Sequence, residues 1–340
     1  MSHVVRPLAE LQALVVGILT ASRTSPENAG LVAEALIAAE ADGVPSHGLS
    51  RVAFYADQAM SGKVDGHARP EVRQLAPAAL FVDARDGFAR PAIVAGVERG
   101  TRLAEETGVA AIAVGHSHHF GVAGFHVEQI AERGLIVLAC GNTPAAIAPW
   151  GGTTPLYGTN PLAFACPRRG KAPLVIDLSL SRVARGKIML AKRRGEPIPD
   201  DWALDAAGHP TTDAAAALSG TLLPIAGAKG AALALMVEIL AAALTGSHFG
   251  YEASSFFDAD GPPPRVGQFF ILLDPRRVGH PSFGDRVEHL LDAITAQPGA
   301  RLPGERRLTA RAHALAHGVS VPADVLNDLL ARVSPPHPAS

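Results

Sequence analysis

Apolar residues along this chain recur at two different spacings, and the spacing separates helices from strands. Leu11 to Ala21 reads as a folded amphipathic helix, and a second helical pattern opens at Ser25-Pro26-Glu27 and closes near Gly43. Ser25 is a capping hydroxyl there and Pro26 occupies the first helical position, where its missing N–H costs nothing. Further helices are predicted over Ile93 to Glu106, Gly124 to Arg133, Gly227 to Leu244 and Phe283 to Ala296. Short apolar runs bounded by Gly, Pro and Asn predict strands at Leu80 to Val82, Val109 to Val114, Leu135 to Ala139, Ala163 to Cys166, Leu174 to Asp177 and Phe269 to Leu273.

The mixture is an α/β (α+β) pattern whose middle region, rich in short strands, is the expected cofactor-binding part. The expected organisation is an N-terminal helical region over 1–75, a nucleotide and substrate region over 76–265, and a C-terminal region over 266–340 packed on the first helices. Arg193 to Pro210, with its prolines and glycines, is predicted to be an ordered surface loop. The longest aliphatic run, Gly230 to Leu244, contains Glu238 and falls short of the roughly 20 residues a bilayer requires, so a core helix is expected.

Composition removes several function classes. The 340 residues carry a formal charge of −2, so no basic field exists to hold nucleic acid or an acidic membrane. Two cysteines, Cys140 and Cys166, form neither a disulfide framework nor a CxxC pair. A reducing cytoplasm is the expected compartment, and no metal site is predicted.

The chemistry concentrates in two places. Gly115 to Gly124 reads GHSHHFGVAG, packing three histidines that titrate near neutral pH against Gly121 and Gly124, which let backbone amides approach an anion. Upstream, Ser46-His47-Gly48 precedes Arg51 and Tyr55. In a helix His47 and Arg51 would share a face, placing a proton carrier beside a guanidinium able to grip a carboxylate. Ser46 would orient His47. The plainer alternative makes Ser46 a helix cap with His47 and Arg51 on a solvated face. For His119 the alternative is a buried histidine bonded to a carbonyl, and for Phe120 to Gly124 an ordinary turn. Gly227-Ala228-Lys229-Gly230, ahead of a long apolar helix, suits a phosphate or leaves an exposed lysine. Arg306 and Arg307 suit the extra phosphate of NADP or a solvated loop, and Gly158-Thr159-Asn160-Pro161 serves a ligand or only a turn.

No two glycines are separated by one residue, so a GxGxxG fingerprint is absent, as are a P-loop and an HExxH zinc motif. The motifs that are present resemble those of the type-2 malate/L-lactate dehydrogenase family. They are Ser46-His47-Gly48 with Arg51, Ser117 to Gly121, Gly158 to Pro161, Asp177 to Ser179, Ala184-Arg185-Gly186-Lys187 and Gly227 to Gly230, in family order over nearly the whole chain.

The resemblance implies a non-Rossmann fold with a mostly antiparallel cofactor-binding sheet, N- and C-terminal helices packed together, and a homodimer. It implies hydride transfer between NADP or NAD, with NADPH favoured, and C2 of a small 2-oxo or 2-hydroxy carboxylate. His47 would be the catalytic proton carrier, with Ser46 and Lys187 beside it. Arg51, Tyr55, His119, Thr159, Arg185 and Gly186 would meet the substrate. Phe120, Gly121, Val122, Ala123, Gly124, Asn160, Asp177, Leu178, Ser179, Lys229, Gly230, Gly304, Arg306 and Arg307 would meet the cofactor. The alternative substrate is a cyclic imino acid such as piperideine carboxylate. Lys187 stands where that branch is expected to carry an acid, whereas the His-His-Phe run and Arg301 to Arg307 lie closer to it. A dinucleotide-binding sensor without turnover and a metal-dependent hydrolase are the competing readings from other classes.

Overall fold

The computed structural model describes residues 2–333. Residues 334–340 of the expected C-terminal region lie outside the described residues.

Among the described residues, eleven strands form three sheets. The large one contains β2 (Glu71–Ala76), β3 (Ala79–Asp83), β4 (Val109–Ser117), β5 (Ile136–Gly141), β6 (Leu162–Arg168), β7 (Lys171–Leu178) and β10 (Val266–Leu273). Their order is β2-β3-β4-β10-β5-β6-β7, and every neighbouring pair is antiparallel except β3 with β4. That one parallel pair needs a crossover, which the helix Ala89–Thr107 supplies. Gly96 and Gly100 bring this helix close to the sheet, because a Cβ at either would collide with Ile112. Gly108, at φ +89°, ends it. On the sheet, Ala110, Ile112, Val114, Phe270 and Leu272 join Val127 and Ile130 of the helix Ala123–Glu132 in one buried core.

A second core is helical. Leu8–Ala21, Pro26–Ala41 and Val52–Ser61 pack with Ala314, Val319, Val321, Leu326 and Leu329 near the far end of the chain. The chain ends are also stitched together as a two-stranded sheet, β1 (His3–Arg6) against β11 (Val319–Pro322). Ser25 Oγ accepts from the Asn28 amide at 3.2 Å, which fixes the start of the second helix as its sequence predicts.

Several local expectations are revised. His47 and Arg51 do not sit on one α-helix: Pro45–His47 and Leu49–Arg51 are separate 3₁₀ turns and the α-helix begins at Val52. The break falls at Gly48, whose Cβ would run into the Glu40 carboxylate, and that carboxylate accepts the Leu49 amide at 2.9 Å. Gly227 to Leu244 is an α-helix over Ala228–Val237 followed by a π-helical turn, Glu238–Ala243. The stretch 193–210 is not all loop, since the helix Arg185–Arg194 runs into it and β8 (Ala203–Leu204) pairs within it against β9 (Thr221–Leu222). The turn at 301–307 opens a helix, Glu305–His317. Strand β10, inside the expected third region, lies at the centre of the large sheet.

Candidate active site

One large cleft, of about 1730 Å³, runs between the helical core and the edge of the sheet that ends in β7. The 3₁₀ turns bring Ser46, His47 and Arg51 to its wall, and the end of β4 brings His119, Phe120 and Gly121.

The two histidines are stacked, ring centroids 5.4 Å apart. His47 Nδ1 lies 3.0 Å from Ser46 Oγ, and His119 Nδ1 lies 2.7 Å from the Tyr55 hydroxyl. Burial and then the Arg51 charge lower the His47 pKa to about 4, and burial, Arg51 and His47 hold His119 well below its ordinary value. Burial also pushes Tyr55 up to about 12, so the phenol keeps its proton. A phenol that donates to His119 Nδ1 leaves the neutral imidazole with its hydrogen on Nε2, the tautomer able to donate into the cleft.

Arg51 is 8% exposed. Its Nε donates to Ser46 O at 2.8 Å and its guanidinium lies 4.5 Å over the Phe257 ring, yet Nη1 has no partner. Arg51 lines the cleft while its Nη1 is itself buried, and a buried cation with an unsatisfied donor is costly. The chemistry suited to such a guanidinium is an anionic oxygen.

Beneath this wall, Glu238 ties three loops together. It accepts from Asn160 Nδ2 at 2.9 Å, Gly250 N at 3.1 Å, and Gly158 N and Asn142 Nδ2 at 3.3 Å. Those loops carry Thr143, Thr159 and Gly250 to the cleft surface. Burial raises the pKa of Glu238 and the four donors oppose that rise.

The far part of the cleft suits a dinucleotide in some places and not in others. The amide of Gly124, expected to face pyrophosphate at a helix start, already donates to Asp177 Oδ2 at 2.7 Å. That carboxylate caps the helix in place of an external anion. Gly121, at φ +73°, has open space where a side chain would stand. The helix Glu305–His317 begins at Gly304 without a side-chain cap, and the Arg306 guanidinium has no ion pair among the described residues. Arg307 is different: it pairs with Glu128 at 2.6 and 2.9 Å and with Asp42 at 3.2 Å, and Arg311 joins the same two acids.

Of the residues singled out from sequence, Ser46, His47, Arg51, His119, Phe120, Gly121, Val122, Gly124, Thr159, Asp177, Leu178, Ser179, Arg185, Gly186, Gly304, Arg306 and Arg307 line the cleft. Tyr55 is buried behind His119, and Ala123 is buried at its helix start. Asn160 is fully buried, its amide spent on Ala234 O and Glu238. Lys187 and Lys229 are exposed outside the cleft lining. Gly230 is buried where a Cβ would strike the Ile225 carbonyl, so its lack of a side chain serves packing. His116 faces Asp83 at 3.1 Å, and His118 is buried against Gln58 at 2.7 Å. No cluster of three metal-ligating side chains occurs among the described residues.

Sequence reading missed Phe256 and Phe257, Thr143 and the Glu238 hub. The signal for the last was present: one carboxylate in an otherwise aliphatic helix. A phenylalanine pair in a Gly- and Pro-rich stretch was the only cue for the first.

The chain matches the family model described as malate/L-lactate dehydrogenase over residues 7–330. It is 55% identical to the (2R)-3-sulfolactate dehydrogenase (NADP(+)) of Chromohalobacter salexigens over 306 residues, covering 89% of this chain and 91% of that protein. It is 41% identical to a Delta(1)-pyrroline-2-carboxylate reductase of Ancylobacter novellus, covering 95% and 96%. Among solved structures, the delta1-piperideine-2-carboxylate reductase of Pseudomonas syringae superposes with a TM-score of 0.92 at 38% identity, covering 97% of this chain and 99% of that one. With a non-Rossmann, mostly antiparallel sheet and a cleft that joins stacked histidines to an unsatisfied arginine, the chain belongs to the malate/L-lactate dehydrogenase family of oxidoreductases.

Proposed function

We propose that the protein transfers hydride between NADPH, or NADH, and C2 of a small 2-oxo or 2-hydroxy carboxylate, and that it does so as a homodimer. The observation that carries this reading is the buried Arg51 with its unpartnered Nη1 beside His47 and His119. A carboxylate on Arg51 sets the neighbouring carbon near both imidazoles.

A bound nicotinamide supplies the hydride. Gly121, Asp177, Ser179, Gly304 and Arg306 are the residues placed to hold the dinucleotide, with Asp177 and Ser179 suited to ribose hydroxyls and Arg306 to a phosphate. His47 carries the proton. Neutral His47 accepts it directly when a hydroxy acid is oxidised. In reduction, His47 must first be protonated, and the substrate carboxylate assists by neutralising the Arg51 charge that helps depress its pKa. His119, held by Tyr55 with hydrogen on Nε2, donates to the substrate oxygen as negative charge grows there. Ser46 orients His47 through Nδ1.

The named activity of the 55% identical relative favours a sulfonated 2-hydroxy acid. The cyclic imino acid reading is kept by the 41% identical reductase and the 0.92 superposition. Exposed apolar side chains on the helix that runs through the π-turn, Leu233, Met236 and Ile239, support a subunit contact. The test is consumption of NADPH and NADH with sulfopyruvate, oxaloacetate, pyruvate and piperideine carboxylate. Turnover with an oxo acid supports the main reading, turnover with the imine alone replaces it, and none with any substrate overturns both.

A further inference from the structure

Lys63 is 2% exposed, an unusual place for an ammonium. Its Nζ is surrounded by oxygens of one segment: Ser255 O at 2.8 Å, Asp258 O at 3.2 Å, Asp258 Oδ1 at 2.9 Å and Asp260 O at 2.6 Å. The same segment is fastened along the helix Val52–Ser61. Ser61 Oγ donates to Ala259 O at 2.9 Å, Gln58 Nε2 donates to Asp258 O at 2.8 Å, and Phe54 meets Phe257 edge-on at 5.8 Å. At the opposite end of this helix stands Arg51, over the Phe257 ring at 4.5 Å. Phe256, next in the segment, lies 4.9 Å from the His119 ring.

The segment therefore runs beside the helix as a splint whose anchor is Lys63 and whose working end is the aromatic floor under Arg51. A guanidinium resting on an aromatic face is restricted in tilt, and its aim decides whether it meets a carboxylate with two bonds or one. Carbonyls alone do not hold such a segment, because with the ammonium removed they would face one another's partial negative charge.

We propose that Lys63 is a positioning residue that sets the grip of the site on a carboxylate, acting through residues 255–260 and Phe257 on the Arg51 guanidinium; this rests on the reading that Arg51 holds the substrate carboxylate. The test uses the full chain saturated with NADPH and titrates oxalate calorimetrically. Oxalate is expected to bind the unaltered protein and, on Arg51→Gln, to lose about a hundredfold in affinity and so fall out of calorimetric range. If binding persists in that variant, the reading of Arg51 fails and this inference with it.

Given Arg51 dependence, Lys63→Met is expected to weaken oxalate about tenfold while the Kd for NADPH stays within about twofold. The KM of the oxo acid is expected to rise with oxalate's Kd while kcat changes less. Unchanged oxalate affinity in a folded Lys63→Met protein overturns the inference alone. Should that variant not fold, Phe257→Leu keeps the anchor and removes the floor; it is expected to weaken oxalate as well, and unchanged binding there overturns the proposal. Propylammonium added to Lys63→Ala is expected to restore the grip, since it supplies the missing chain and charge.

Discussion

Two arginines face the same cleft and have opposite circumstances. Arg307 is surrounded by Glu128 and Asp42, and its pKa is raised above the ordinary value despite burial. Arg51 has no carboxylate partner, keeps Nη1 unbonded, and burial lowers its pKa. The first arrangement is architecture: it joins the end of the helix Pro26–Ala41, the helix Ala123–Glu132 and the helix Glu305–His317. The second is a buried cation without a carboxylate partner among the described residues, the position that the proposed function gives to a substrate carboxylate. Residue type and burial do not separate the two roles, whereas the state of pairing does.

Four measurements would break or sharpen that contrast. The largest effect belongs to the proton carrier on the unpaired side. His47→Asn should reduce kcat on the order of 10²- to 10⁴-fold with NADPH binding retained, as read by steady-state turnover and cofactor fluorescence. Arg51→Gln comes next, with carboxylate affinity falling roughly a hundredfold and thermal stability unchanged or raised, because a desolvated and unpaired charge has been removed. A clear fall in Tm would sink the claim that Arg51 is kept for a ligand.

Arg307→Gln should invert that pattern. It leaves Glu128 and Asp42 to Arg311 alone, costing about 1–3 kcal/mol of stability by denaturant titration, with a smaller effect on carboxylate affinity. The last measurement is of pH dependence. Burial holds His118 and His126 down to about 3, so they stay neutral in the fold while unfolded histidines protonate below about 6.5. A depressed pKa gives stability that is complete above the unfolded value, so Tm should start to fall as pH drops through 6.5 and continue toward 3. The pair of Glu128 with Arg307 adds a further loss at lower pH, because its carboxyl pKa is also held below the ordinary value. A flat Tm between pH 7 and 5 would contradict the neutral assignment of these histidines.

Much of the fold was readable because its elements carry local signals. Ser25 with Pro26 announces a helix start, and the apolar run Val109 to Val114 announces a strand. What was not readable depends on distant contacts. The 3₁₀ turns at His47 and Arg51 exist because Gly48 must pass the Glu40 carboxylate, and no spacing rule contains that approach. Gly124 resembled an anion cradle locally, yet the anion that fills it is Asp177, 53 residues away in sequence. The exposed positions of Lys187 and Lys229 likewise follow from how their helices seat on the rest of the chain. Histidine clusters and basic turns identified a chemistry from sequence, and packing decided which members face the cleft.

The place of β10 in the large sheet has a consequence for synthesis. Residues 266–273 lie between β4 and β5, strands made more than a hundred residues earlier. Until that segment leaves the ribosome, the nascent chain holds two part-sheets, each with a long open edge of unpaired amides and carbonyls and apolar side chains beside them. The late strand joins both parts at once, and the terminal strand β11 then closes on β1. Completion of the molecule is thus deferred to its last quarter. A translation pause or truncation before residue 266 should leave species prone to pairing with one another, visible as aggregation that chaperones relieve.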